Sequence, residues 1–222
     1  MYENVIVIPY RNRETHLKYF IDNTVPLIEE YLPSTKVVVI EQEEGKEFNR
    51  GCLLNVGFNE YENNTKYFIT HDVDINPKEL TLKNYYNKDV SDNDILGIYT
   101  SVCDTLGGII KISNNNIFKI NGFPNDYWGW GAEDKALKNR ADTHNLNKIT
   151  NFVNNVKTRD DIYFKIFNDV NDRTPCVQQQ MRTPYNNKKY SITSGAGLNN
   201  INYKILIKKS LHPIVELIKV SI

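Results

Sequence analysis

The chain has 222 residues, with 27 basic and 27 acidic side chains and only three cysteines. That length is enough for one compact domain with a real core, and the balanced charge excludes a global field that would draw it to nucleic acid or to an anionic membrane. Cys52, Cys103 and Cys176 are odd in number, far apart and in no metal-ligand spacing, so neither a disulfide framework nor a cysteine metal site is expected.

Val5 to Ile8 is a β-branched run of the kind found in strands buried on both faces, and it ends at Pro9 with Tyr10-Arg11-Asn12-Arg13 behind it. Leu17, Phe20, Ile21, Thr24, Leu27, Ile28 and Tyr31 then recur at three- and four-residue spacing until Pro33, which predicts a helix. Val37 to Ile40 repeats the buried-strand signature. The opening segment therefore reads as a βαβ unit, which calls for a right-handed crossover and parallel strands. Phe48 to Tyr61 is compatible with a second helix and Lys66 to Thr70 with a third strand, which runs into His71-Asp72-Val73-Asp74.

From Pro77 to Asp94 the chain is polar and reads as helix and loop on the surface. Ile95 to Thr100 and Gly108 to Ser113 look like two further strands, Ile117 to Ile120 like a short helix, and Glu133 to Asn145 like a helix with acids in its first turn. Tyr203 to Ile207 and Ile214 to Ile222 read as a hairpin or paired strands at a sheet edge.

Between these elements lies Asn121 to Asp134, which holds both tryptophans of the chain, three glycines between and beside them, and two acids at its end. Glycine is favoured where backbone turns or approaches a ligand closely, and flat apolar rings followed by carboxylates suit a carbohydrate pocket. The alternative is a corner of core with a capped helix. Asp72 and Asp74, two apart in a segment expected to be extended, would project to one side with bases about 6–7 Å apart and hold one hard divalent ion. Arg11, Arg13 and Arg50 suit bidentate pairing with phosphate, Phe48 suits a flat base, and surface salt bridging is their alternative. In open α/β sheets ligands collect beyond the carboxyl ends of strands, where the arginines and aspartates would converge.

Taken in order, Pro9 to Arg13, Phe48-Asn49-Arg50-Gly51 with Leu53 to Gly57, Asp72-Val73-Asp74, Gly107-Gly108, Ile120 to Asp134 and Gly197-Leu198-Asn199 resemble the β-1,4-galactosyltransferase family across nearly the whole chain. The resemblance implies an α/β chain of GT-A glycosyltransferase fold over residues 1–222, a Rossmann-like mixed sheet with helices on both faces. It also implies an inverting enzyme that moves galactose or an N-acetylhexosamine from a UDP-sugar to a glycan hydroxyl. By that resemblance Pro9, Arg11, Arg13, Phe48, Arg50, Asp72, Val73, Asp74 and Trp130 would hold the donor. Trp130, Gly131, Ala132, Glu133, Asp134 and Thr105 would meet the acceptor, with Asp134 as general base and Glu133 beside it.

The resemblance also implies Mn²⁺, or Mg²⁺ in its place, on Asp74. Family members complete that site with a late histidine, yet none lies between His144 and His212, so Gln178 and Met181 fall on the ligand positions, a soft set for Mn²⁺. Lys135 replaces a usual acid, and Thr105 stands where a tyrosine would restrict the donor's 2-substituent. These departures leave open a catalytically impaired UDP-sugar- or glycan-binding module as the alternative. The chain enters its first strand by Val5 and no window reaches the roughly 20 apolar residues of a membrane span, so a cytoplasmic protein of a virus or microbe is expected. Its expected partners are the UDP-sugar and the acceptor, with no nucleic acid and no membrane.

Overall fold

A computed structural model describes residues 1–100, 105–149, 162–167 and 195–222. Strand β1 (Tyr2–Tyr10) leads into α1 (Glu14–Tyr19), a π-helical turn (Phe20–Thr24) and α2 (Val25–Tyr31), then β2 (Thr35–Gln42), α3 (Arg50–Tyr61) and β3 (Thr65–Thr70). The first helix of the sequence reading is thus broken in the middle. Pro26 explains the break: it cannot donate to a carbonyl one turn back and its ring crowds that carbonyl, so the helix widens just before it.

Strand β4 (Ile75–Pro77), the short α4 (Glu79–Thr81), β5 (Asp94–Tyr99), β6 (Ile109–Ser113), α5 (Asn114–Lys119) and α6 (Glu133–Thr143) follow. The chain continues through β7 (Asn147–Ile149), β8 (Phe164–Ile166), β9 (Lys204–His212) and β10 (Val215–Ser221). Eight strands form one sheet in the order β7-β5-β6-β3-β1-β2-β10-β9, while β4 and β8 pair separately. Strand β1 runs parallel to both β2 and β3, and β6 lies antiparallel to β3, so the sheet is mixed. The βαβ unit is present, and the hairpin of β9 and β10 closes one edge.

Strand β1 is buried on both faces, as its unbroken apolar run requires. Ile6, Ile8 and Tyr10 pack with Phe20, Val25 and Ile28 on the α1–α2 side, whereas Val5 and Val7 pack with Leu53, Leu54 and Val56 of α3 on the other. Each such branched side chain contributes about 1.5–3 kcal/mol when fully buried, so the centre of the sheet is the most strongly fixed part of the fold. The edge strand β9 is exposed along most of its length and carries Lys204, Lys208 and Lys209, charges that discourage pairing with another chain.

The stretch read as polar surface, Pro77 to Asp94, differs from that expectation. Leu82, Tyr86 and Val90 are buried in the same core as β1, and Lys111 of β6 reaches under them to donate to the Tyr86 carbonyl at 2.7 Å. The apolar residues are too widely spaced to show as a face in sequence. Among the described residues no helix is long and apolar enough to cross a membrane. Cys52 is buried and unpaired; Cys103 and Cys176 lie outside the described residues.

Helix α3 touches β1 so closely that a Cβ on Gly57 would lie 2.3 Å from Val7 Cγ1. In an exposed helix Gly→Ala is favourable by about 1 kcal/mol, but overpacking a core costs about 1–3 kcal/mol, and the short, branched Val7 side chain it would meet is packed in the core on a central strand and has little room to relax. Gly57→Ala is therefore expected to lower the unfolding free energy by about 1–2 kcal/mol in chemical denaturation.

Candidate active site

The parallel strands β1 and β3 end side by side, and the chain leaving them carries Arg11 and Arg13 from one and Asp72 and Asp74 from the other. Between them stands the start of α3. Asn49 caps that helix by accepting from the Cys52 N–H at 2.9 Å, which fixes Arg50 in its first turn. Arg50 Nε donates to Asp72 Oδ1 at 2.8 Å, Nη2 donates to the Gly108 carbonyl at 3.1 Å, and Nη1 lies 3.6 Å from Glu133 Oε1. Burial alone would lower the Arg50 pKa; Asp72 and then Glu133 outweigh it and hold the guanidinium above its ordinary value.

Asp72 and Asp74 do not share one extended face. Ile75 N–H donates to the Asp72 carbonyl at 3.1 Å, closing a turn that sends Asp72 to Arg50 and leaves Asp74 on the cavity wall. Burial, then the neighbouring charge of Asp72, raises the Asp74 pKa, and His16 and Arg13 offset part of that rise. The His71 side chain just before the turn is fully buried, and burial lowers its pKa to about 4.

The tryptophan loop forms the opposite wall. Gly129, Gly131 and Ala132 have φ of 92°, 97° and 73°, so the backbone turns left-handed three times before α6 begins. For Ala132 that conformation costs about 1–3 kcal/mol and requires surroundings that enforce it. Helix α3 supplies them. Asn55, fully buried, accepts from Phe123 N–H at 2.9 Å and donates to the Phe123 carbonyl at 2.7 Å, while Asn49 Nδ2 donates to the Asn125 carbonyl at 2.7 Å. Gly129 N–H donates to the Phe48 carbonyl at 2.9 Å. On the far side Arg140 donates to the carbonyls of Asn121 and Gly122, both at 2.8 Å.

These walls enclose an open cavity of about 520 Å³, within the range of small-molecule sites. Pro9, Arg11, Arg13, Phe48 and Arg50 line it with Asp72, Val73 and Asp74; Trp130, Gly131, Glu133 and Asp134 face them. Trp130 is 46% exposed at the mouth, a large apolar ring available for a flat ligand face. Burial pushes the Glu133 carboxyl up, to about 7, with Arg50 pulling it back and Asp134 adding to the rise. Asp134 Oδ1 accepts from Lys135 N–H at 2.8 Å, and a Cβ on Gly107 would stand 2.8 Å from Asp134 Oδ2, so only glycine leaves that carboxylate its position.

The donor set at Asp74 fits a hard divalent cation. Two carboxylates supply only oxygen, and the unfavourable burial of Asp74 is the cost that a bound cation would remove. Among the described residues no group of three or more His, Cys, Asp or Glu side chains could by itself hold a metal ion, and Gln178 and Met181 lie outside the described residues.

Residues 1–88 match the N-terminal region of glycosyl transferase group 7, and residues 93–166 match the model described as the N-terminal domain of galactosyltransferase. The chain belongs to glycosyltransferase group 7. Beta-1,4-galactosyltransferase 4 of Rattus norvegicus is 33% identical over 215 residues, covering 90% of this chain and 58% of that protein. The Homo sapiens beta-1,4-galactosyltransferase 4 is 37% identical over 147 residues, 64% of this chain and 43% of its own length. This group 7 chain therefore spans about half the length of the curated relatives it matches. The catalytic domain of Drosophila beta1,4galactosyltransferase 7, solved with xylobiose, superposes with a TM-score of 0.77 at 23% identity, covering 100% of this chain and 94% of that one. A mutant of the same enzyme, solved with manganese, UDP-Gal and xylobiose, gives 0.79 at 23% identity. The GT-A-like fold of group 7 is thus present, with a large mixed sheet and helices on both faces.

In this group 7 chain the cavity brings together most side chains singled out in the sequence. Two stand apart. Thr105 is buried, off the cavity wall, with its hydroxyl lacking a partner and its carbonyl accepting from Lys148, and Ala132 serves as the left-handed hinge into α6. Sequence reasoning missed Glu47, which lines the cavity and carries no distinguishing signal, and Asn55, whose signal was a polar residue inside an apolar helix. Replacing Asn55 by alanine leaves the buried Phe123 N–H without its acceptor, a loss of about 1–3 kcal/mol. Asn55→Ala is expected to show that loss in denaturation, together with altered native-state tryptophan fluorescence as the loop holding Trp128 and Trp130 loosens.

Proposed function

We propose that this chain is a UDP-sugar-dependent glycosyltransferase that moves galactose or an N-acetylhexosamine to a hydroxyl of a glycan acceptor with inversion. The observation that carries this reading is the single cavity in which arginines, the Asp72–Asp74 turn and the Trp130–Asp134 segment face one another. The group 7 membership supports the same reading, as does the related enzyme solved with manganese, UDP-Gal and xylobiose.

In this mechanism Arg11 and Arg13 bind the diphosphate, and Phe48 offers its ring to the base; the Arg11 guanidinium already sits 5.3 Å from the centre of that ring. Asp74 would hold a divalent ion with Asp72 nearby, and when bound such an ion supplies neutralisation of the charge on the leaving diphosphate. Trp130 presents an apolar face to the sugars, and Glu133 orients hydroxyls. As the acceptor oxygen forms its bond to the anomeric carbon, Asp134 takes the hydroxyl proton, and the bond to the diphosphate oxygen breaks with its electron pair leaving on UDP. One in-line displacement inverts the anomeric centre and needs no enzyme nucleophile.

The test is release of UDP from UDP-galactose, UDP-N-acetylgalactosamine, UDP-N-acetylglucosamine and UDP-glucose, with glycan acceptors and with or without Mn²⁺. Asp134→Asn is expected to slow acceptor-dependent release by about 10²–10⁴-fold while UDP still binds. Unchanged release in that variant would remove Asp134 as the base, and UDP binding without turnover on every donor would overturn the transferase reading.

A further inference from the structure

We propose that His71 is a positioning residue for the cavity: a neutral imidazole in its Nδ1–H form whose hydrogen bond locks the turn that aims Asp74 inward. The inference deepens the transferase reading, because that turn carries the residue assigned above to the divalent ion.

The side chain is fully buried, with the ring of Phe20 edge-on at 5.3 Å and that of Tyr86 at 6.1 Å. Its Nδ1 lies 3.0 Å from the carbonyl oxygen of Asp72. That oxygen is also the acceptor that closes the turn, taking Ile75 N–H at 3.1 Å, while the backbone N–H of His71 is tied to the Val7 carbonyl of the central strand at 3.0 Å. One carbonyl oxygen with two lone pairs therefore receives both the turn's own hydrogen bond and the imidazole. His71 joins the turn to the central strand β1, which is buried on both faces.

The protonation state follows from the partners. A carbonyl only accepts, so a hydrogen bond at Nδ1 requires the proton to be there. With the proton on Nε2 instead, a lone pair on Nδ1 would face the carbonyl oxygen at 3.0 Å, and a buried N–H would point into an apolar shell with no acceptor. With protons on both nitrogens a charge would be buried beside Phe20 and Tyr86. The Nδ1–H form leaves only the Nε2 lone pair unmatched, the least costly of the three arrangements.

Two-bond ¹H–¹⁵N correlation spectra of the whole chain near neutral pH test this without reference to catalysis. His71 is expected to show a protonated Nδ1 and an unprotonated Nε2; the reverse pattern, or two protonated nitrogens, would overturn the proposal. His71→Phe removes the donor and His71→Asn returns an N–H near Nδ1. In calorimetric titration with UDP in the presence of Mn²⁺, His71→Phe is expected to bind about 10- to 100-fold more weakly, the usual cost of losing an outer-shell partner of a metal ligand, and His71→Asn to recover most of that loss. Equal binding by His71→Phe and the parent chain would also overturn it. If the parent chain binds no UDP, the transferase reading fails and the spectra still decide the state of His71.

Discussion

The structure of the cleft depends on one buried guanidinium. Arg50 is largely enclosed, with its side chain 15% exposed, and meets three separate stretches of chain: it donates to Asp72 after β3 and to the Gly108 carbonyl before β6, and it forms an ion pair at 3.6 Å with Glu133 at the start of α6. A lysine could not do this, because its single ammonium lacks the planar fork that lets Nε and both terminal nitrogens point to different partners. Removing one member of such a group leaves a buried charge uncompensated, which typically costs about 3–5 kcal/mol, so each carboxylate holds the other's position through the arginine. The two walls of the cleft are therefore not independent surfaces.

Around this centre the backbone of the tryptophan loop is held by amide side chains instead of by regular pairing. Asn49 and Asn55 from one helix grip Phe123 and Asn125, and Arg140 from another grips Asn121 and Gly122. The loop can then keep Ala132 in a left-handed conformation and leave Trp130 half exposed, both of which would be unfavourable in a segment free to relax. Rigid support behind, and an apolar ring in front, is what a site that orients a bound ligand requires.

Much of the fold is legible in the sequence because the central strands are buried on both sides and show it as unbroken β-branched runs at Val5–Ile8 and Val37–Ile40. Local rules fail where partners far along the chain decide the outcome. Strands β7 and β8 are three residues each and exist through pairing with β5 and β4, and Tyr86 is buried by packing that its polar neighbours conceal. Pro26 carried a readable signal, a helix interrupted, that its apolar spacing masked. In the site, the types and order of Arg11, Arg13, Asp72, Asp74 and Asp134 pointed to one cleft, but the turn after Asp72 and the bridging by Arg50 are three-dimensional facts. Arg50 is read from sequence as a phosphate ligand; its geometry makes it first a partner for two carboxylates.

That bridging is most directly tested by unfolding free energies of Arg50→Met alone and of Arg50→Met combined with Asp72→Asn and Glu133→Gln. If the guanidinium holds two otherwise unpaired carboxylates together, the single change lowers stability by about 3–5 kcal/mol and the combined change, which removes the stranded charges, regains most of it. A loss from Arg50→Met no larger than the about 1 kcal/mol of a surface pair, or a combined variant no more stable than the single one, would contradict the account.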